Sequence, residues 1–245
     1  MSLNEKKNNP WSVPNAVHFY AKNRQSVDEV YASEEYFLKQ VIRPNISILD
    51  VGCAAGGFYN VFRSIDPSVR YTGVDFSWEM VREGKKRFPN IPFTAGDGGA
   101  LPFRPDSFDV VYCSGAIHLS PNWREILKDC WRVTKNHFVF DVRLVETGES
   151  VEDITESYEK IAFFNNWDGK SIVPYIVLNA RDFLREVSRL VPEPVSQQYF
   201  GYYSPVSKMA VSLYAEVCMT MCCFGKDSMS ERRVVWNLPI KQSPL

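Results

Sequence analysis

Asp50-Val51-Gly52-Cys53-Ala54-Ala55-Gly56-Gly57 closes an apolar run at residues 46–51 and leads into Phe58, Val61, Phe62 and Ile65 at helical spacing, ahead of Asp66-Pro67. Strand, glycine-bearing turn and helix therefore follow in order. Small residues in such a turn let a ligand approach the backbone, and the amides at the start of the helix point at it. The same octet, taken alone, also serves as a tight strand-to-helix connection, so the flanking units must be read with it.

The unit recurs downstream. Residues 70–74 are strand-like and end at Asp75, Ser77 is placed to cap a helix running through Phe88, and Pro89 stops it. Further strands are predicted at 91–95, 108–113 and 137–142, with a helix opened by Pro121-Asn122-Trp123 and running to about Val133. Residues 181–190 read as another helix, and 195–203 and 214–224 as two closing strands. Strands alternating with helices predict an α/β, Rossmann-like, doubly wound sheet, mostly parallel and seven-stranded, with helices on both faces. Upstream, Val30, Tyr31, Phe37, Leu38 and Val41 recur at helical spacing between 27 and 42, a helix leading into the domain. Residues 145–180 combine acids with Tyr158, Phe163, Phe164, Trp167 and Tyr175 and break the alternation, which suits an insertion or lid over the mouth of a site. The expected organisation is an N-terminal segment (1–26), one catalytic domain (27–224) carrying that insertion, and a C-terminal tail (225–245).

The 245 residues, 45% hydrophobic and 23% charged, are enough for one large core. With 28 basic and 29 acidic residues the net charge is −1, so no nucleic-acid partner is expected. Cys53, Cys113, Cys130, Cys218, Cys222 and Cys223 sit mostly in apolar stretches without C-x-x-C spacing, and read as reduced core cysteines rather than metal ligands. There is no apolar leader and no run of about 18 apolar residues, so a cytoplasmic protein without membrane insertion is expected.

Three strand ends converge on one crevice: the octet, Asp75, where a carboxylate accepts from both hydroxyls of a ribose, and Gly96-Asp97-Gly98 after the third strand. Residues 48–56, Gly73-Val74-Asp75-Phe76-Ser77, Gly96-Asp97 through Leu101-Pro102-Phe103, and Ser107-Phe108-Asp109 together resemble the class I S-adenosylmethionine-dependent methyltransferases, in their broad small-molecule branch. The resemblance covers about residues 45–140. It implies S-adenosylmethionine as cofactor and a small-molecule acceptor such as a natural product, lipid precursor or sugar-bearing intermediate. It also implies that Asp50, Gly52, Cys53 and Gly56 surround the methionine and ribose, that Asp75 holds the ribose hydroxyls, and that Phe76 and Met80 flank the adenine. Asp97 would then accept from the adenine amino group, Gly98 donate to a ring nitrogen, and Ser114 lie near the methionine end. Ala54 departs from the family's usual glycine; it weakens a nicotinamide dehydrogenase reading more, because G-x-G-x-x-G needs glycine there to admit a pyrophosphate.

Methyl transfer to a hydroxyl benefits from a base, and His118, just after the fourth strand, is the candidate; packing at the strand–helix junction is its plainer role. Asp141 and Arg143 would orient an acceptor or pair with each other, and Tyr20 or Tyr31 would join the insertion in covering it. A cofactor-binding protein of the same fold without turnover is the alternative.

Overall fold

The computed structural model describes residues 11, 14–163, 166–226 and 233–241. Five strands lie parallel at its centre: β1 (Ser47–Val51), β2 (Arg70–Asp75), β3 (Phe93–Ala95), β4 (Phe108–Cys113) and β5 (Thr134–Val145). Beyond β5 come β11 (Glu216–Gly225), antiparallel to both neighbours, and β9 (Ser196–Pro205). These are the seven strands expected from the sequence. Among the described residues the sheet has two more: β12 (Arg233–Asn237), parallel to β9 at the edge, and the short β8 (Leu178–Asn179), which extends β5. The segment read as a tail thus contributes Val234-Val235-Trp236 to the edge, a β-branched and aromatic run too short to stand out by periodicity.

Strand order β12-β9-β11-β5-β4-β1-β2-β3 reverses direction of progression at β1 and β4. Crevices at such switch points, outside the carboxyl ends of the strands, are where open α/β sheets bind ligands. Two apolar layers flank the sheet. On one face, α5 (Trp123–Val133) and α6 (Ala180–Val187) bury Trp123, Trp131, Phe183 and Leu184 against Leu49, Val111, Phe138 and Phe140. On the other, α2 (Ala32–Val41), α3 (Gly57–Ile65) and α4 (Trp78–Arg87) bury Phe37, Leu38, Val61, Phe62 and Val81 against Ile48, Val110, Tyr112 and Val139. Each fully buried Phe or Leu contributes about 1.5–3 kcal/mol, so both faces are firmly tied to the strands whose ends form the crevice.

The helix expected at 27–42 divides in two. Val27–Glu29 makes a 3-10 turn, Val30 and Tyr31 are extended, and α2 begins at Ala32. The Glu34 carboxylate accepts the Tyr31 amide at 2.8 Å, which supplies the local reason for the new start. Ahead of it, α1 (Pro14–Lys22) packs Ala16 against Ala55 and Met80. The insertion forms β6 (Tyr158–Phe163) and β7 (Asn166–Pro174), joined by β10 (Ala210–Val211) into a separate three-stranded antiparallel sheet. Phe164 lies outside the described residues.

Candidate active site

The turn after β1 is built from left-handed backbone at Gly52 and Gly56, both with φ of 77°, and at Ala54 with φ of 46°. A side chain at Gly56 would sit 2.6 Å from the Phe93 ring, so glycine is required by space as well as by torsion. Ala54 adopts the strained conformation with its amide held by Asp75 Oδ2 at 2.9 Å. Asp75 Oδ1 accepts the Ser77 amide at 2.8 Å. A carboxylate offers about four lone-pair positions, so two remain for further donors. Burial pushes Asp75 up to about 6, against the pull of the two amides. Asp50 lies beneath the turn and accepts the Tyr71 hydroxyl at 2.7 Å; burial raises it to about 7.

Cys53 is brought to the turn by its backbone only. Its Sγ faces β2, where a side chain at Gly73 would meet it at 2.8 Å. Phe76 is exposed at the end of β2, while Met80 is buried among Ala16, Ala55, Ile161 and Val173, under α1 and the small sheet. Asp97 is exposed, with Oδ1 accepting the Gly99 amide at 2.8 Å and Asn122 Nδ2 at 3.2 Å, and Gly98 packs close over Val51. The β1 turn and the segment after β4 meet closely, since a side chain at Gly52 would reach Ala116 Cβ at 3.1 Å. At Gly115, by contrast, an added Cβ would meet nothing within 4 Å. The crevice is open there.

Along β5, Phe138, Phe140 and Val142 face the α5 layer, so Asp141 and Arg143 face the other side, toward α1 and the N-terminal segment. Asp141 accepts the Gly115 amide at 2.7 Å and Arg143 Nη1 at 2.7 Å. Burial opposes the Asp141 charge, but Arg143 and the Gly115 amide hold its carboxyl below the usual range. The second guanidinium nitrogen lies 3.2 Å from His118 Nε2. Arginine can only donate, so Nε2 is assigned as the acceptor and the ring proton sits on Nδ1, which has no hydrogen-bond partner and lies 3.5 Å from Asp141 Oδ2. Burial and the neighbouring Arg143 lower His118 to about 3. Its lone pair is directed at Arg143, so in this arrangement His118 orients the guanidinium, the plainer of the two roles expected of it.

Ser114 hydrogen-bonds Glu34 at 2.6 Å instead of standing free at the strand end. Glu34 is fully buried and also accepts from Tyr112 at 2.8 Å and Arg24 at 3.2 Å. This cluster pins the N-terminal segment over the site: Arg24 and Asn23 carbonyls lie 2.8 and 2.9 Å from where a Gly57 Cβ would be. Neither Arg24 nor Glu34 was foreseen. The signal was Glu34 at the third helical position ahead of Phe37, Leu38 and Val41, a helix-start signature. A separate surface cleft of about 200 Å³ between Trp123, Arg124, Glu152 and Glu186 contains none of these residues.

Residues 48–137 match the family profile described as a methyltransferase domain. The matched stretch, well under half of the chain, is similar to methyltransferase domains. Outside that stretch the likeness thins. It is 35% identical over 96 residues to the demethylmenaquinone methyltransferase of Lactococcus lactis, covering 37% of this chain and 38% of that protein. It is 36% identical over 91 residues to the phthiotriol/phenolphthiotriol dimycocerosates methyltransferase of Mycobacterium tuberculosis, covering 36% and 33% respectively. The match therefore spans well under half the length of these curated relatives. Among solved structures, an S-adenosylmethionine-dependent methyltransferase of Methanosarcina mazei superposes with a TM-score of 0.57 over 80% of this chain and 98% of its own, at 14% identity. At that identity the likeness is one of fold.

Proposed function

We propose that the protein transfers a methyl group from S-adenosylmethionine to a small-molecule acceptor. The observation that carries this is Asp75: it stands at the switch-point crevice beside a left-handed turn, braced by two amides yet with lone pairs left for two ribose hydroxyls. The residues fit such a ligand. Gly52 and Gly56 give the backbone close approach, Gly115 leaves open space beside them, and Asp97, whose Oδ1 accepts from Gly99 and Asn122, would offer Oδ2 to an adenine amino group. Asp50 and Asp75 place acidic groups around a ligand that is cationic at sulfur. Ala54, with its methyl in the middle of the turn and its amide held by Asp75, disfavours a dinucleotide pyrophosphate.

When bound, the sulfonium supplies an electrophilic methyl group. The protein's own contribution is to align a nucleophile in line with it and exclude water. α1 and the small sheet cover Met80 and Ala55, which suits that exclusion and supports the lid expected from residues 145–180. The names of the two curated relatives, which specify a quinone and a lipid, favour a small and largely apolar acceptor over a macromolecule. The test is incubation with methyl-labelled S-adenosylmethionine and a small-molecule extract. Label should move into the organic fraction with formation of S-adenosylhomocysteine. Tight binding of the labelled compound with no transfer to any fraction would leave a non-catalytic binding protein instead.

A further inference from the structure

Arg143 and Tyr175 meet at His118, with Arg143 Nη2 3.2 Å from its Nε2 and the Tyr175 ring centroid 6.0 Å from its own, while Tyr20 packs on the apolar cluster that Val173, the ladder partner of Glu159, joins. Arg143 comes from β5, Tyr175 from the segment after β7, Tyr20 from α1 and Glu159 from β6. Strand geometry fixes the direction of Glu159. It is paired with Val173 across the β6–β7 ladder, and Val173 packs on Ala55, Met80 and Ala16. Glu159 therefore points down from the small sheet toward the cofactor turn. Among the described residues its carboxylate has no hydrogen-bond donor, although it is half-buried. The buried carboxylates nearby each accept from the protein: Glu34 from Tyr112, Ser114 and Arg24, Asp141 from Gly115 and Arg143, Asp50 from Tyr71, and Asp75 from two amides.

Resting on the methyl-transfer reading above, we propose that Glu159 is the catalytic base of this site and that the acceptor is an acidic hydroxyl, a phenol or enol, whose oxygen is received by Arg143 and Tyr175. In the step, the acceptor O–H proton passes to the Glu159 carboxylate, the oxygen forms the new O–CH₃ bond, and the S–CH₃ bond breaks with its electron pair left on sulfur. The proton then leaves to solvent. Charge balances throughout, since sulfonium and carboxylate are both neutralised.

The acceptor class follows from the groups opposite. Arg143 can only donate hydrogen bonds, so it receives an oxygen and offers no acceptor to an ammonium. A phenol ionises near ~10, whereas an aliphatic hydroxyl lies near the ~16 of water. A carboxylate base bridges the first gap and not the second. Burial raises Glu159, and Arg143 opposes this.

The test uses the whole protein saturated with S-adenosylhomocysteine at neutral pH, with 2-naphthol, which is un-ionised in free solution there, as probe and 2-(aminomethyl)naphthalene as its amine counterpart. Binding is followed by the phenolate band and by calorimetry in buffers of different ionisation enthalpy, which counts protons released. The wild type should bind the phenol at least tenfold tighter than the amine and ionise it without net proton release. In Glu159→Gln the phenolate band should vanish or be accompanied by release of about one proton, and Arg143→Lys should weaken the band at least tenfold. Wild-type proton count and band in Glu159→Gln, preference for the amine, or failure of the phenol to bind would each overturn the proposal. Failure of S-adenosylhomocysteine itself to bind would instead remove the methyl-transfer reading beneath it.

Discussion

At the scale of single residues, His118 and Asp75 show opposite responses to burial. His118 gives its lone pair to Arg143 and is lowered to about 3, so it is neutral across any working pH. Replacing it with Asn should cost roughly 1–2 kcal/mol of stability through a lost buried hydrogen bond, read as a lower denaturant midpoint, while leaving the acid limb of the pH–rate profile in place. Movement of that limb would restore His118 as the base. Asp75 is raised to about 6 and must be ionised to accept from two hydroxyls. A ligand that bonds the charged form lowers this value, so it binds more tightly to the deprotonated protein. Affinity for S-adenosylhomocysteine should therefore fall as pH drops below about 6 and level off above it, a dependence titration calorimetry will register. Gly52, Gly56 and Asp75 were legible because turn chemistry and strand ends are local properties. The direction of the Cys53 side chain was not, because it depends on the gap left by Gly73 on the neighbouring strand.

At the scale of elements, the N-terminal segment is joined to the sheet by Glu34. Glu34→Gln leaves Arg24, Tyr112 and Ser114 around a neutral amide, and should lower stability by roughly 2–4 kcal/mol. Gly57→Ala separates local from tertiary effects. Alanine favours the helix by about 1 kcal/mol, but its methyl would press on the Asn23 and Arg24 carbonyls at under 3 Å. Hydrogen exchange should quicken in residues 14–31 while protection in α3 and β1 holds. If exchange in 14–31 does not change, the segment is not seated on α3 as described. The break before α2 was not legible from spacing, since Val30 and Tyr31 fit a helical stripe; the Glu34 capping bond ends it. Glu159 was equally hidden, because its importance lies in what β6 faces rather than in any motif.

At the scale of the whole molecule, alternation of strands and helices sufficed for the seven-stranded sheet, because each central strand is a buried apolar run closed by a turn. The edges were less legible, since a five-residue strand such as β12 is fixed mainly by its partner. Trp236 there packs on Tyr199 with ring centroids 4.8 Å apart and donates to the Ile240 carbonyl at 2.7 Å. Trp236→Ala should lower Tm by roughly 3–8 °C and leave S-adenosylhomocysteine affinity within about twofold, because β12 lies at the far edge from the crevice. The central claim is that the crevice at β1, β2 and β4 is built for S-adenosylmethionine. The most direct test is calorimetric binding of S-adenosylhomocysteine to the wild type and to Asp75→Ala, with NAD as the competing ligand. Saturable binding, weakened roughly a hundredfold by loss of two charge-assisted hydrogen bonds and not displaced by NAD, is the predicted result. Absence of binding by folded protein, or preference for NAD, would contradict it.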